Sequence, residues 1–227
     1  MSSRVSTFVF VPGAGGVAWV WGRVTALLEH AGHEAIAVDL PADEDRYGLA
    51  DYADIVLRAI GDRTDFVLVA TSLGGFTAPL VCERKTPRAL VLVNAMIPTP
   101  GEIVGQWWGN TGAPKARAEA AKSGGYSVDF DVKTYFFHDV PDEIFREAGP
   151  HQRAQSERIF EDACTFTSWP KIPIHVIAGR DDRFFPLEFQ KRVARERLGL
   201  EVDAIAGGHI LSLSNPTGCA ERLIAIV

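Results

Sequence analysis

Short, continuous apolar segments alternate with helical segments along the first hundred residues. Four such segments end in turn residues: Val5–Val11, Ala35–Val38, Phe66–Ala70 and Ala89–Val93. Apolar side chains at helical spacing fill the intervals: Val20–His30, Leu49–Ile60 and Gly75–Lys85. Strands that are apolar throughout are buried on both faces, as in a parallel sheet covered by helices. The sequence therefore predicts an α/β fold with a doubly wound, mostly parallel sheet.

This alternation stops between residues 97 and 169 and then resumes. The intervening stretch is rich in aromatic residues, is broken by Gly and Pro, and shows no clear strand pattern. Beyond it come two strands and two helices: Pro173–Ala178, Leu187–Leu198, Glu201–Ile205 and Thr217–Val227. We predict a single domain whose core comprises residues 1–96 and 170–227. Residues 97–169 are predicted to form a helical cap inserted after the fourth strand.

Composition and charge narrow the classes of partner. The formal net charge of −6 disfavours nucleic acid and anionic membrane surfaces. No apolar stretch approaches the ~18 residues of a membrane span, and the N-terminus lacks a signal-peptide pattern. Three scattered cysteines and the absence of H-E-x-x-H predict neither a disulfide framework nor a metal site. We expect a cytoplasmic protein with a small-molecule substrate and no cofactor. The sequence does not predict its oligomeric state.

A serine follows the third predicted strand, in Ala70-Thr71-Ser72-Leu73-Gly74-Gly75, and a helix comes next. A nucleophile elbow needs small residues two before and two after its serine, because the turn is strained and crowded. Such a turn would expose the Ser72 hydroxyl and leave the Leu73 N–H free to bind an oxyanion. A serine that only caps a helix has a similar local sequence, so this motif alone leaves both interpretations open.

A base and an acid follow the last two strands. His209 comes after Gly207-Gly208 beyond the last strand, and Asp181 and Asp182 follow the penultimate strand. The order serine, acid, histidine is the one found on α/β sheets of this kind. We therefore predict Ser72 as nucleophile and His209 as base, with one of the two aspartates as the orienting acid.

Three segments together resemble the α/β-hydrolase superfamily, over essentially the whole chain. They are Val9–Trp21, Gly179–Pro186 and Gly208–Ile210, and they are most similar to the small methylesterase and hydroxynitrile-lyase group with its bacterial relatives. The resemblance implies Asp182 rather than Asp181 as the acid, because the family's acid comes three residues after the glycine. It also implies the Ala14 N–H as the second oxyanion donor.

Two positions depart from that group, since Pro12 and Thr71 each replace a histidine common there. Both positions shape the pocket floor, so the substrate stays open. Hydroxynitrile lyases of the group have a hydroxyl residue in the oxyanion loop, whereas Ala14 has none. The resemblance therefore favours a carboxylesterase-like serine hydrolase that cleaves a small, apolar ester or related acyl compound.

Five residues are candidates for contact with such a substrate: Gly13, Thr71, Trp107, Trp108 and Phe136. The aromatic members could line an apolar pocket, although they could equally pack the cap onto the sheet. Trp19 and Trp21 are interpreted as core residues.

Two other functions are compatible with parts of the sequence. Gly13–Ala18 fits G-x-G-x-x-A after a strand, and Asp39 lies about twenty residues on, as in NAD(P)-binding oxidoreductases. No tyrosine is followed by lysine at the Tyr-x-x-x-Lys spacing of the short-chain class, which disfavours that alternative. A non-enzymatic small-molecule receptor on the same fold would retain an intact triad, so the motifs leave it open.

Overall fold

Six parallel strands form one sheet in the computed structural model, which describes residues 5–227. The strands are β1 (Thr7–Val11), β2 (Glu34–Ala37), β3 (Phe66–Thr71), β4 (Ala89–Val93), β5 (Ile174–Gly179) and β6 (Val202–Ile205). Their order across the sheet is β2-β1-β3-β4-β5-β6, and each neighbouring pair is parallel. The predicted α/β fold class is confirmed.

Helices connect these strands. They are α1 (Gly22–His30), α2 (Leu49–Ile60), α3 (Gly74–Arg84), α4 (Trp107–Thr111), α5 (Ala113–Gly124), α6 (Val132–Phe136), α7 (Asp142–Ala148), α8 (Leu187–Leu198), α9 (Leu211–Ser214) and α10 (Pro216–Ile224). Short 3₁₀ helices cover Ala18–Trp21, Val104–Gln106, Gly149–His151 and Glu157–Glu161. None of the helices in the described part of the chain is long and apolar enough to cross a membrane.

Both faces of the sheet are covered by helices, which explains the continuous apolar segments. Successive side chains of a strand point to opposite faces of the sheet, so each strand contributes side chains to two cores. On one face, residues such as Leu68 pack with α2, α3 and α8. On the other, residues such as Val67 pack with α1 and α10. Because the carboxyl ends of parallel strands share one edge, the loops after β1, β3, β5 and β6 open on the same side.

Most predicted elements have bounds that differ from the structure by one residue or more, and three of these differences have a local cause. Val5 is exposed and precedes β1, so the first strand is shorter than predicted. The helix predicted over Val20–His30 begins as the 3₁₀ turn Ala18–Trp21 and becomes α-helical only from Gly22. The predicted last helix, Thr217–Val227, is α10 (Pro216–Ile224), and the separate short helix α9 precedes it. Pro216 starts α10 at its first turn, and the Asn215 side chain caps it by accepting from the Gly218 N–H.

The segment between β4 and β5 is helical, as expected. It holds α4 to α7, and its only described strand-like contact is the isolated bridge between Ile103 and Ala163. Several of its side chains, such as Val104 and Ile159, are fully buried in the core on the α2, α3 and α8 face. The segment therefore packs closely against the sheet layer.

A buried ion pair fastens the start of this segment to α8. Arg197 Nη2 lies 2.9 Å from Glu102 Oε1, and its Nη1 also contacts Glu102 Oε2. Asn110 Nδ2 and the Thr99 N–H donate to the same carboxylate. Burial alone would raise the pKa of Glu102, but these hydrogen bonds outweigh it and hold that pKa below its usual value.

Glu102→Gln should lower the free energy of unfolding by about 3 kcal/mol at pH 7, because Arg197 would be left buried without its counter-ion. Since the folded-state pKa of Glu102 is lowered, its contribution is fully present above the unfolded pKa of about 4.3 and is lost as pH falls through the folded value. Urea denaturation of the wild type and of Glu102→Gln should therefore give a difference in free energy of unfolding that becomes smaller as the pH is lowered from 7.

The exposed pair of Arg195 and Glu201 supplies the control, because Glu201→Gln should cost no more than about 1 kcal/mol. If the difference in free energy of unfolding between the wild type and Glu102→Gln does not change with pH, the assigned role of this carboxylate is contradicted.

Candidate active site

Ser72 occupies a sharp turn between β3 and α3. Its φ of 49° lies in the left-handed region, which is costly for a residue with a side chain. The turn is crowded: a Cβ added at Gly74 would lie 2.5 Å from Pro12 O, and one at Gly75 would lie 1.8 Å from Met96 O. Only glycine fits at either position, so the predicted elbow geometry is present.

His209 lies on the loop between β6 and α9, with its ring beside the Ser72 hydroxyl. The distance from His209 Nε2 to Ser72 Oγ is 3.2 Å. Phe136 stacks on the imidazole at 4.9 Å between ring centroids, and Phe184 and Phe185 contact it edge-on. These rings restrict the plane of the imidazole and shield it from water.

Asp182 is the acid that reaches the histidine. Its Oδ2 lies 2.9 Å from His209 Nδ1, and its Oδ1 accepts from the N–H groups of Phe184 and Phe185 at 2.8 Å each. The neighbouring Asp181 is exposed and accepts instead from the Gly207 N–H. Ser72, His209 and Asp182 therefore form one continuous chain of hydrogen-bonding atoms.

Two backbone N–H groups near Ser72 are free of protein partners. Those of Ala14 and Leu73 donate to no acceptor among residues 5–227. The loop that carries Ala14 is fixed from two sides: the Gly16 N–H donates to Gly13 O, and the Gly15 N–H donates to Gln155 Oε1. Unused donors next to a nucleophile are the requirement of an oxyanion site.

Two adjoining cavities lie beside the loop that carries Ala14. The inner cavity, of about 90 Å³, is lined by Ser72, His209, Thr71, Trp21, Val93, Leu211 and Ser212, among others. The outer cavity, of about 240 Å³, is mostly apolar and is lined by residues that include Val17, Trp19, Val132, Phe137, Ala148 and His151. Five residues line both: Gly13, Ala14, Val20, Phe136 and Ile210. The two cavities are therefore adjacent, and they are called the inner and the outer lobe of the pocket below.

Three of the five residues predicted to contact substrate line the pocket, and two do not. Gly13 and Phe136 line both lobes, and Thr71 lines the inner one, where its hydroxyl donates to Val93 O. Trp107 and Trp108 line neither lobe, so this part of the prediction is wrong.

The reason is that both tryptophans pack the insertion against the sheet layer. Trp107 is fully buried, its Nε1 donates to Ile97 O, and its ring lies 5.3 Å from that of Phe185. Trp108 is half-buried against Phe184 and Phe185.

Trp19 is a pocket residue that the sequence interpretation missed. It lines the outer lobe and stacks on His151, with ring centroids 4.9 Å apart. Trp21, two positions on, is in the core as expected, although one side of it reaches the inner lobe. The only sequence signal for Trp19 was its place one short turn after the loop that carries Ala14.

The residues of the dinucleotide fingerprint have other partners. Asp39 accepts from the Ala18 N–H and from Arg153 Nη2, and these bonds hold its pKa below the usual value against the raising effect of burial. A Cβ added at Gly15 would lie 2.8 Å from Arg153 O, so a chain segment covers the glycine loop. No cluster of three or more metal-ligating side chains exists among the described residues.

A family model described as the alpha/beta hydrolase family matches residues 8–222. The chain belongs to the α/β-hydrolase family. The match covers nearly the whole sheet, the loops that carry Ser72, Asp182 and His209, and the helical insertion.

Curated relatives of this α/β-hydrolase include plant esterases. It is 40% identical over 112 residues to the probable esterase PIR7A of Oryza sativa subsp. indica, a match that covers 43% of this chain and 42% of that protein. It is 32% identical over 114 residues to methyl jasmonate esterase 1 of Vitis vinifera, which covers 44% of this chain and 43% of that protein. The chain thus spans less than half the length of these curated relatives.

Solved structures extend the likeness over the full fold. A variant of polyneuridine aldehyde esterase superposes with a TM-score of 0.80 at 23% identity, covering 98% of this chain and 99% of that one. Likeness at this identity shows the fold.

Proposed function

We propose that this α/β-hydrolase is a carboxylic ester hydrolase with Ser72 as nucleophile, His209 as general base and Asp182 as orienting acid. The observation that supports the proposal most strongly is the chain of contacts at 3.2 Å and 2.9 Å that joins Ser72 Oγ, the imidazole and the buried carboxylate. A serine hydroxyl needs such a base to become nucleophilic. The esterase names of the curated relatives support the same activity.

The reaction would proceed by acyl transfer. His209 Nε2 takes the Ser72 proton as Oγ bonds to the substrate carbonyl carbon, and Asp182 stabilises the imidazolium. The N–H groups of Ala14 and Leu73 would bind the oxyanion, where one donor is typically worth about 3–4 kcal/mol. The imidazolium then protonates the departing alcohol, and water cleaves the acyl-enzyme by the same relay.

The pocket shape supports a small, apolar ester as substrate. Residues 97–169 would act as the cap over the pocket, because Val132, Phe136 and Ala148 of this segment line the outer lobe. The outer lobe, of about 240 Å³, would take the larger, apolar acyl group. The inner lobe, of about 90 Å³, suits a short alkoxy group beside Ser72.

Turnover of p-nitrophenyl esters tests the proposal, with acyl chains from acetyl to octanoyl. Purified protein should release p-nitrophenol in many turnovers per molecule. Absence of turnover of this series and of the methyl esters of the same acids, while the protein is folded by circular dichroism, would contradict the esterase proposal. A single slow turnover with a retained adduct would favour the alternative of a small-molecule receptor.

Val17→Phe should reduce the size of the outer lobe and so change the selectivity for acyl length. We expect kcat/KM for methyl octanoate to fall at least about tenfold, because a bulkier wall excludes several methylenes. Methyl acetate, which needs little of the outer lobe, should keep its kcat/KM within about twofold. Equal losses for both esters would show that the outer lobe does not hold the acyl chain.

An NAD(P)-dependent oxidoreductase remains the other enzymatic alternative, although the contacts of Asp39 with Ala18 and Arg153 disfavour it. Fluorescence titration with NADH or NADPH should show no binding.

We also keep the expectation of a cytoplasmic location, since Cys82, Cys164 and Cys219 are free, buried thiols.

A further inference from the structure

Two buried amide side chains connect the loops that carry Ser72, Asp182 and His209. Asn94 directly follows β4, is fully buried and has a φ of 45°. Gln190 lies on the first turn of α8 and is 5% exposed. Neither side chain lines the inner or the outer lobe of the pocket. Both must therefore act through other residues.

Asn94 contacts all three loops. Its backbone oxygen accepts from the Ser72 N–H at 3.2 Å. Its side-chain Oδ1 accepts from the Gly179 N–H at 2.7 Å, at the start of the acid loop. Its Nδ2 donates to the carbonyls of Gly208 and His209, both at 2.9 Å. The left-handed backbone at Asn94, which is costly for most residues, is what allows one residue to reach all three.

Gln190 extends this connection to the acid itself. Its Nε2 lies 2.7 Å from Phe185 O, 3.1 Å from Asn94 Oδ1 and 3.2 Å from Asp182 Oδ2. An amide group has only two protons for these three acceptors, so at least one proton is shared between two of them. Asp182 Oδ2 is also the oxygen that faces His209 Nδ1. Gln190 thus orients the carboxylate oxygen on which the imidazole depends.

We propose that Asn94 and Gln190 are positioning residues, which together set the placement of Asp182 and His209 relative to Ser72. This inference rests on the proposed function of those three residues. Neither amide contacts substrate, and each acts through hydrogen bonds that fix a loop or a carboxylate. Reacting groups must be held to within about 0.5 Å, so the loss of one such bond should affect turnover more than binding.

Gln190→Met tests the proposal, since it keeps the length of the side chain and removes both donors. We expect kcat to fall about ten- to hundredfold while KM changes less than about twofold. The acid limb of the kcat/KM profile should move to higher pH, because the carboxylate loses a donor and attracts the imidazolium more strongly.

A change in the pH profile of Gln190→Met can be attributed to Gln190, because the other titratable groups around the Asp182 loop stay in place. His138, Asp139 and Asp181 surround the same loop and are unchanged by the substitution. Val193→Ala, one turn further along α8, is the matched control because it opens a cavity in the same helix without contact to Asp182. It should lower the melting temperature and leave the pH profile and kcat unchanged.

A spectroscopic measurement separates this inference from the esterase proposal. The proton between His209 Nδ1 and Asp182 should give a downfield ¹H NMR signal in wild-type protein, and that signal should shift or broaden in Gln190→Met. Gln190→Leu, which also removes both donors but has a shorter side chain, replaces the Met variant if that does not fold. Wild-type kcat, pH profile and NMR signal in the folded Gln190 variant would overturn the inference. Lack of turnover by the wild type would count against the esterase proposal alone.

Discussion

Ser72→Ala should lower kcat for p-nitrophenyl ester hydrolysis by about ten-thousand-fold or more, because the substitution removes the atom that attacks the carbonyl. The fold should be retained, since alanine keeps the Cβ and the backbone bonds of Ser72 N–H and O stay in place. Steady-state kinetics and the melting temperature of the variant check both parts of this expectation.

Ser212 provides a matched control in the same lobe of the pocket. It is buried and lines the inner lobe, yet its hydroxyl donates to no described residue. Ser212→Ala should keep kcat within about tenfold of wild type, because the Ser212 hydroxyl makes no hydrogen bond to His209. Comparable losses in both variants would mean that Ser72 has no special role in turnover.

Asp182→Asn should lower kcat by about ten-thousand-fold with little change in structure. The asparagine oxygen can still accept from the Phe184 and Phe185 N–H groups. Its amide would, however, donate toward His209 Nδ1, and the proton would then occupy Nε2. An imidazole in that tautomer cannot accept the Ser72 proton, so the nucleophile is not activated.

Asp181→Asn is the control for the adjacent acid. The Asp181 carboxylate accepts only from the Gly207 N–H among the described residues, and an asparagine oxygen can do the same. We expect its kcat to stay within about tenfold of wild type, because it does not contact the imidazole. A large loss in Asp181→Asn with wild-type kcat in Asp182→Asn would reverse the assignment of the acid.

The bounds of three elements could be predicted from the sequence without error. The helices Leu49–Ile60 and Leu187–Leu198 and the strand Ala89–Val93 lie at their predicted bounds. Each is bounded by turn or helix-ending residues, and each buries a regular set of apolar side chains. Boundaries at Val5 and Pro216 were less predictable, because they depend on solvent exposure and on a local cap.

The order of the candidate site residues along the chain could be predicted from the sequence, whereas their hydrogen-bond partners could not. Sequence patterns placed Ser72 and His209 on loops at one sheet edge, but they could not separate Asp181 from Asp182. That choice depends on a turn in which Asp182 turns inward and accepts two backbone N–H groups. The resemblance to a family supplied it instead.

Aromatic residues near the pocket were harder to assign, because their direction is set by tertiary packing. Trp107 and Trp19 are both bulky and both close to predicted site loops. Trp107 finds a carbonyl and two phenylalanine rings in the core, whereas Trp19 faces a cavity. Asn94 carried no recognisable motif, since its importance comes from hydrogen bonds to residues distant in sequence.

Covalent labelling with a fluorophosphonate, followed by peptide mapping by mass spectrometry, examines the central claim most directly. The reagent requires a hydroxyl whose proton is taken by a neighbouring base, together with donors for the phosphoryl oxygen. We predict a single adduct on Ser72, which should be lost in the Asp182→Asn protein. An adduct on another residue, or an unmodified Ser72 in folded wild-type protein, would contradict the account.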